Sequence, residues 1–231
     1  MCAELSIPVD GVSIAGDLDV PDPAYGVVVF AHGSGSSRYS PRNRTVADRL
    51  RSRKFGTLLC DLLSAEEEER DRRTGHLRFD IGLLASRLTG MIDSLSTRPD
   101  TGRLPVGLFG ASTGAAAALV AAAQRPSAVR AVVSRGGRPD LAGDVLGQVS
   151  APTLLIVGGA DPDVLVLNSD AAQRLHAVCR LHVVPGAGHL FEEPGALDEV
   201  AERAAGWFGT YLPPAADDSE TVLDGYDETL P

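Results

Sequence analysis

Three polar residues, a serine, an aspartate and a histidine, have the types that nucleophilic catalysis needs, and the serine has the most telling context. Ser112 lies in the G-x-S-x-G pattern GASTG, between the apolar run 104–109 and an alanine-rich run. This context predicts a strand, a sharp turn and a helix, with the serine hydroxyl exposed at the turn. The flanking glycines let the backbones of the strand and the helix approach each other where a Cβ would clash. The N-terminus of the helix favours the negative charge that develops near the serine.

Candidate partners for the serine follow later in the chain. Asp161 comes after an apolar run and a Gly-Gly turn, and His189 follows another apolar run in a loop of small residues. In a triad the base takes the serine proton, and the acid holds the imidazole in one tautomer. We therefore predict Ser112, His189 and Asp161 as the catalytic residues. Asp163 is the alternative acid, and a turn or helix-cap role is the other interpretation of Asp161.

A second glycine-rich segment, HGSGSS at 32–37, directly follows the apolar run 26–31. Acyl transfer needs two backbone N–H donors, one from the residue after the nucleophile and one from a loop of this kind. We predict that the amides of Thr113 and Ser34 form this oxyanion hole, and that Gly33 lets the loop approach the substrate. A dinucleotide phosphate loop is the rival interpretation, but it would require glycine in place of Arg38.

Two arginines, Arg135 and Arg138, follow the apolar run 129–133, on the side of the sheet where a substrate must lie. A guanidinium there could bind a substrate carboxylate through two hydrogen bonds, so Arg135 is our candidate substrate-binding residue. The alternative is that these arginines pair at the surface with Asp140 or Asp144.

The other histidines lack a comparable pattern. His32 belongs to the predicted oxyanion loop and is expected to be structural. His76, His176 and His182 are expected to be surface residues without a catalytic role.

Length and charge define the class of protein. The 231 residues are 44% hydrophobic with a formal net charge of −10, which suits one domain over 1–212 with one good core. Segment 213–231 carries six acidic and no basic residues, and we expect it to be a disordered tail. Basic residues are not clustered, so neither nucleic acid nor an anionic membrane is expected as a partner.

The cysteines and the termini give little sign of export or metal binding. Cys2, Cys60 and Cys179 are odd in number and have neither C-x-x-C nor metal-ligand spacing, which argues against a disulfide framework and predicts no metal. The N-terminus lacks the features of a secretory signal, and the longest apolar run, 115–123, is too short to span a bilayer. We therefore expect a cytoplasmic protein without a cofactor.

Strands and helices alternate after an N-terminal hairpin. Residues 3–9 and 12–20 alternate apolar and polar positions around Asp10-Gly11, which predicts an antiparallel edge. The alternation in the remainder of the chain predicts a mostly parallel sheet with helices on both faces. In such sheets, ligands bind at the C-terminal ends of the strands. The charged segment 64–80 is either a small lid or a solvated loop. The helical patterns lie at 42–53, 79–95, 115–124, 164–177 and 195–212, with a short helix at 141–146.

These motifs resemble those of the α/β-hydrolase superfamily, and within it the dienelactone hydrolase-like family. The similarity covers about residues 10–210, through VVVFAHGSGSS, GLFGASTGAA, PTLLIVGGADPDV and VVPGAGHLFEEP. It implies an eight-stranded, mostly parallel sheet and a triad at Ser112, His189 and Asp161. Dienelactone hydrolases proper use a cysteine nucleophile, so the serine here favours a general carboxylesterase.

The connection between Ser134 and Ala151 has only about sixteen residues, too few for the helical cap domain of many superfamily members. An uncapped site favours short or small esters. The predicted function is therefore hydrolysis of a small-molecule carboxylic ester through an acyl-serine intermediate, by a monomer or homodimer. The alternatives are a thioesterase or peptidase with the same triad, and a ligand-sensing or scaffolding protein that keeps the fold.

Overall fold

The computed structural model describes residues 2–212, and the predicted acidic tail lies outside these described residues. Within them, eight strands form one sheet in the order β1-β2-β4-β3-β5-β6-β7-β8. The first two pairings in that order are antiparallel and the others are parallel. The predicted sheet is confirmed. Its strands are β1 Cys2–Val9, β2 Val12–Asp19, β3 Val27–Ala31, β4 Gly56–Cys60, β5 Val106–Ala111, β6 Val129–Arg135, β7 Thr153–Gly158 and β8 Cys179–Val184.

Helices cover both faces of the sheet, as crossover connections between parallel strands require. One apolar core lies between the sheet and α1 and α6. The other lies between the sheet and α3, α4, α5 and a 3-10 helix. The helices are α1 Pro41–Ser52, α2 Ala65–Thr74, α3 Ile81–Thr97, α4 Thr113–Gln124, α5 Pro162–Arg174 and α6 Ala196–Tyr211, with 3-10 helices at Leu77–Phe79 and Pro139–Gln148.

The N-terminal hairpin has the turn that its sequence predicts. Asp10 and Gly11 both have positive φ, 49° and 77°, which matches the twist of a two-residue hairpin loop. Val9 pairs with Val12 across this turn, and the alternating apolar residues, among them Ile7 and Ile14, are buried in the core.

Two segments have more structure than the sequence suggested. The charged segment after β4 contains the helix α2, which begins with a capping box between Ser64 and Glu67 and ends at Gly75 in the left-handed region. The short helix predicted at 141–146 is a 3-10 helix over Pro139–Gln148 with a kink at Gly143. This short connection carries no cap domain, as predicted.

Candidate active site

The nucleophile turn is built by close backbone packing at the end of β5. Ser112 has φ 50° and ψ −122°, a region that non-glycine residues rarely occupy, and α4 begins at the next residue. A Cβ at Gly110 would lie 2.4 Å from the Cα of Ala115, and one at Gly114 would lie 2.4 Å from the carbonyl oxygens of Ala31 and His32. Only glycine fits at both positions, which holds the serine in its strained conformation.

The predicted oxyanion loop lies directly against this turn. A Cβ at Gly33 would lie 3.1 Å from the Cβ of Ser112. The Ser34 amide donates a hydrogen bond of 3.0 Å to Oγ1 of Thr113. The two residues predicted as oxyanion donors are therefore neighbours, and one of the two N–H groups already has an acceptor in the free protein.

The candidate acid and base are in direct contact. Nδ1 of His189 lies 2.7 Å from Oδ2 of Asp161, at the C-terminal ends of β8 and β7. The Asp161 side chain is 16% exposed and the His189 side chain is 40% exposed, so the imidazole is partly accessible to solvent. Asp163, the alternative acid, is exposed in the first turn of α5. The partner of His189 is therefore Asp161.

The serine and the histidine converge on the segment that follows β6. The Ser112 amide donates to the carbonyl of Arg135 at 3.2 Å. A Cβ at the next residue, Gly136, would lie 3.2 Å from the carbonyl oxygen of His189 and 3.5 Å from its Nδ1. Among the described residues, no hydrogen bond joins the Ser112 hydroxyl to His189, so the imidazole is oriented by Asp161 alone.

A buried asparagine links the acid's helix to the segment beside the serine. Nδ2 of Asn168, on α5, donates to the carbonyl of Gly137 at 2.9 Å and to that of Val164 at 2.8 Å. The adjacent Arg138 amide donates to the Ser112 carbonyl at 3.1 Å. Sequence reasoning missed Asn168, because no motif connects it with residues about thirty positions earlier.

The two candidate arginines differ in their surroundings. Arg138 makes two hydrogen bonds, of 2.8 and 2.7 Å, to the carboxylate of Asp140, so the alternative of surface pairing holds for Arg138. Asp144 pairs with Arg174 rather than with either candidate. Arg135 is 7% exposed, and its Nε and Nη1 are buried with no hydrogen-bond partner in the described part of the chain. Burial, and then the charge of Arg42, lower its pKa to about 10.

Two of the remaining histidines have partners that the sequence did not indicate. Nε2 of His182 lies 2.7 Å from a carboxylate oxygen of Glu199. His32 is half-buried in the oxyanion loop, with Nδ1 2.9 Å from the carbonyl oxygen of Gly33. Burial lowers the pKa of His32 and outweighs this hydrogen bond. The ring is therefore neutral at pH 7.

Segment 64–80 contains a buried ion pair that joins the helix α2 to the 3-10 helix after it. The Asp71 carboxylate is 1% exposed and accepts hydrogen bonds of 2.6 Å from Nε of Arg78 and from the Leu77 amide. Burial opposes its ionisation, but these hydrogen bonds outweigh burial and lower the pKa of Asp71. A small cavity against this segment is lined by Glu68, Arg78 and Thr113. The segment is thus helical rather than a loop, although most of its residues are exposed and Asp71 is the one that is buried.

The described cysteines, potential metal ligands and helices bear on the other expectations from the sequence. Cys60 is buried and Cys179 is partly buried; both are free, and burial raises the pKa of the Cys179 thiol to about 11. Over residues 2–212, no group of three potential ligands could hold a metal ion. Helices in the same range are all too short or too polar to cross a membrane.

The strand order and the nucleophile turn after β5 are those of the α/β-hydrolase fold, here without a cap domain. The profile of the dienelactone hydrolase family matches residues 13–211, and the chain belongs to that family of hydrolases.

Known proteins show the same relationship. A dienelactone hydrolase from Anabaena variabilis, known from its crystal structure, is 60% identical, covers 92% of this chain and 98% of its own, and superposes with a TM-score of 0.90. Est1E from Butyrivibrio proteoclasticus shares the fold, with a TM-score of 0.74 at 15% identity over 90% of this chain and 98% of its own. A Mycobacterium tuberculosis protein provisionally named a phosphoribosyl transferase is 59% identical over 209 residues. That match covers 90% of this chain but only 46% of the relative, so this chain spans about half of the relative's length.

Proposed function

We propose that the protein is a serine hydrolase that cleaves small carboxylic esters through an acyl-serine intermediate. The observation that carries this proposal is the 2.7 Å hydrogen bond between His189 and Asp161. An imidazole that is 40% exposed makes few packing contacts, so a carboxylate that fixes its orientation points to a role in proton transfer.

The mechanism follows from the tautomer that this hydrogen bond selects. With Nδ1–H donated to Asp161, Nε2 of His189 is free to accept the proton of the Ser112 hydroxyl. The serine oxygen attacks the ester carbonyl, and the imidazolium then protonates the leaving alkoxide. Water, activated by the same imidazole, hydrolyses the acyl-serine. Hydrogen bonds between catalytic groups commonly tighten only when substrate binds. The lack of a hydrogen bond between the Ser112 hydroxyl and His189 in the described residues of the free protein is therefore compatible with this mechanism.

The oxyanion of the tetrahedral intermediate would be held by the amides of Thr113 and Ser34. The Ser34 amide donates to the Thr113 hydroxyl at 3.0 Å in the free protein. When the oxyanion forms, the Ser34 amide would donate to it, and the Thr113 hydroxyl would either turn away or accept the same N–H group jointly with the oxyanion. The helix dipole of α4, which begins at Thr113, favours the same charge.

The test is a panel of p-nitrophenyl esters from acetate to palmitate, assayed with wild type and Ser112→Ala. We expect activity on short acyl chains and a loss in kcat of about 10⁴-fold or more in the variant, with a residual rate from the oxyanion hole. Ser150→Ala, at an exposed position in a loop, is the matched control and should retain the rate. Hydrolysis that survives in Ser112→Ala would refute the assignment.

The name of the Anabaena relative adds a second substrate type to the panel. Dienelactones are cyclic esters, and a lactone opened by Ser112 would give an acyl-serine that still carries the alcohol. Equal rates on a lactone and on an open-chain ester of the same acyl length would assign a general esterase. A marked preference for the lactone would assign a lactonase.

The mycobacterial relative suggests a second activity, which we propose lies outside this chain. Its provisional name is phosphoribosyl transferase, and this chain matches only 46% of its length. The dienelactone hydrolase family matches residues 13–211 of this chain, so the transferase would belong to the part of the relative that this chain does not match. The test is to assay this chain for ester hydrolysis and for phosphoribosyl transfer. Phosphoribosyl transfer by this chain alone would contradict the assignment of that activity to the unmatched part of the relative.

A further inference from the structure

Arg135 is a buried cation without a counter-ion beside the proposed triad. The residue is 7% exposed, and Nε and Nη1 of its guanidinium have no hydrogen-bond partner in the described residues. Its pKa, lowered by burial to about 10, still leaves it charged at neutral pH. Its one aromatic neighbour among these residues is Phe191, whose ring centroid lies 6.0 Å from Cζ.

The fold treats its other fully buried arginine differently. Arg87 is 2% exposed, and its terminal nitrogens reach the Val9 carbonyl at 3.0 Å, Asp10 at 3.2 Å and Glu67 at 2.8 Å. Burying an unpaired charge is costly, and such charges are normally paired or bound to a ligand. Core packing alone therefore does not explain the environment of Arg135.

A second cation makes the surroundings more positive. Arg42, in the first turn of α1, contributes to the lowered pKa of Arg135. It binds Glu192 at 3.2 Å through Nη1, but its own Nε is buried without a partner in the described structure. The side chain of Glu192 is 66% exposed, so its charge is well screened by solvent. Arg135 of β6 and Arg42 of α1 are therefore close enough for their charges to repel each other.

The position of Arg135 connects this charge with the chemistry. Its carbonyl accepts the Ser112 amide at 3.2 Å, and the next residue, Gly136, packs against His189. Phe191, under the guanidinium, is two residues from His189 in the same loop. An anion held here would lie among the strand ends that carry the proposed catalytic residues.

We propose that Arg135, supported by Arg42, is the binding site for an oxyanion, a carboxylate or phosphate, carried by the ester substrate. This inference rests on the proposed ester hydrolysis and narrows it to anionic esters. A guanidinium binds such groups with two parallel hydrogen bonds, from Nη2 together with either Nε or Nη1, so an anion here would give one of the partnerless nitrogens of Arg135 an acceptor. Arg42 would supply the second positive charge.

The kinetic test compares two esters that differ in charge: mono-p-nitrophenyl glutarate, which ends in a carboxylate, and p-nitrophenyl valerate, which does not. We expect Arg135→Met to lower the ratio of their kcat/KM values by about tenfold or more, through KM for the glutarate ester. Arg135→Lys, which keeps the charge, should recover part of the ratio. Arg130→Met, at the exposed opposite end of the same strand, is the matched control and should leave the ratio within about twofold.

The second test requires no turnover. We expect glutarate or inorganic phosphate to raise the unfolding temperature of Ser112→Ala relative to chloride at equal ionic strength. The shift should vanish in Ser112→Ala/Arg135→Met, because a ligand that binds only the folded state stabilises it. A larger shift with glutarate would identify a carboxylate site, and a larger shift with phosphate a phosphate site. Equal shifts in both proteins would overturn the proposal.

The outcomes separate this inference from the proposed function. Anion-dependent stabilisation that requires Arg135, in a protein that hydrolyses no ester, would refute only the esterase. Ester hydrolysis with an unchanged glutarate-to-valerate ratio in Arg135→Met would refute only the anion site. If Arg135→Met fails to fold, Arg42→Gln provides the second variant, and a ratio unchanged in it would refute the paired site.

Discussion

The nucleophile turn and the histidine loop meet at the same edge of the sheet, but they are held in different ways. Ser112 is fixed by main-chain contacts, with hydrogen bonds from its amide to the carbonyl of Arg135 and from the Arg138 amide to its carbonyl. His189 is partly exposed, and its ring is oriented by one hydrogen bond to Asp161. The position of the proposed nucleophile therefore depends on backbone sterics, whereas that of the proposed base depends on one carboxylate.

The largest effect should come from neutralising that carboxylate. Asp161→Asn should lower kcat by about 10³- to 10⁴-fold, because an amide can stabilise the wrong imidazole tautomer and cannot balance the imidazolium charge. The unfolding temperature should change little. Asp163→Asn, two residues away and exposed, is the control and should stay within about twofold in kcat. Similar losses in both variants would mean that the base does not depend on Asp161.

Next in size is a steric change on the nucleophile side. Gly114→Ala would place a methyl group 2.4 Å from the carbonyl oxygens of Ala31 and His32, and neither backbone atom can move aside cheaply. We expect a loss of about 3 kcal/mol or more in the free energy of unfolding, measured with urea.

The matched control is Gly206→Ala on α6, where an added Cβ meets nothing within 4 Å. This change should stabilise the protein by about 0.5 to 1 kcal/mol, through helix propensity and a less flexible unfolded chain. If the two glycine variants behaved alike, close packing would not be what holds the nucleophile turn.

A smaller effect should come from the ion pair beside the oxyanion loop. Asp71→Asn removes the buried partner of Arg78 and should cost about 2 to 3 kcal/mol of unfolding free energy. Because backbone contacts hold Ser112, kcat should fall by less than about tenfold. Glu69→Gln, in an exposed pair on the same helix, should change the stability by at most about 0.5 kcal/mol. A loss in kcat as large as that of Asp161→Asn would show that segment 64–80 positions the nucleophile.

The smallest effect concerns His32, next to the turn. Its pKa is lowered in the folded protein, so below about pH 6.5 the unfolded chain binds a proton that the folded chain does not. Its contribution should therefore reduce stability as pH falls from 7 to 5. Urea unfolding of wild type and His32→Gln at both pH values measures this, and the variant should lose less stability on acidification. Identical losses would contradict a lowered pKa of His32 in the folded protein.

Local pattern was enough for the sheet and for the candidate residues. Ser112, Asp161 and His189 each follow an apolar run, and such runs become buried parallel strands whose C-terminal ends share one edge. Contacts that depend on side-chain direction were not predictable in this way. The ion pair of Asp71 with Arg78 lies in a run of charges that is typical of solvated surface. Nothing local distinguishes Arg135, whose Nε and Nη1 have no partner within residues 2–212, from the paired Arg138.

The hydrogen bond from Asn168 to Gly137 has a practical consequence for engineering. This hydrogen bond joins α5, the helix that follows Asp161, to the segment 135–138, whose Arg138 amide donates to the Ser112 carbonyl. The two segments are therefore expected to keep their relative position only when both are present. Grafting either loop alone from a relative would leave a donor or an acceptor stranded. Chimeras should exchange 135–138 and 161–174 together.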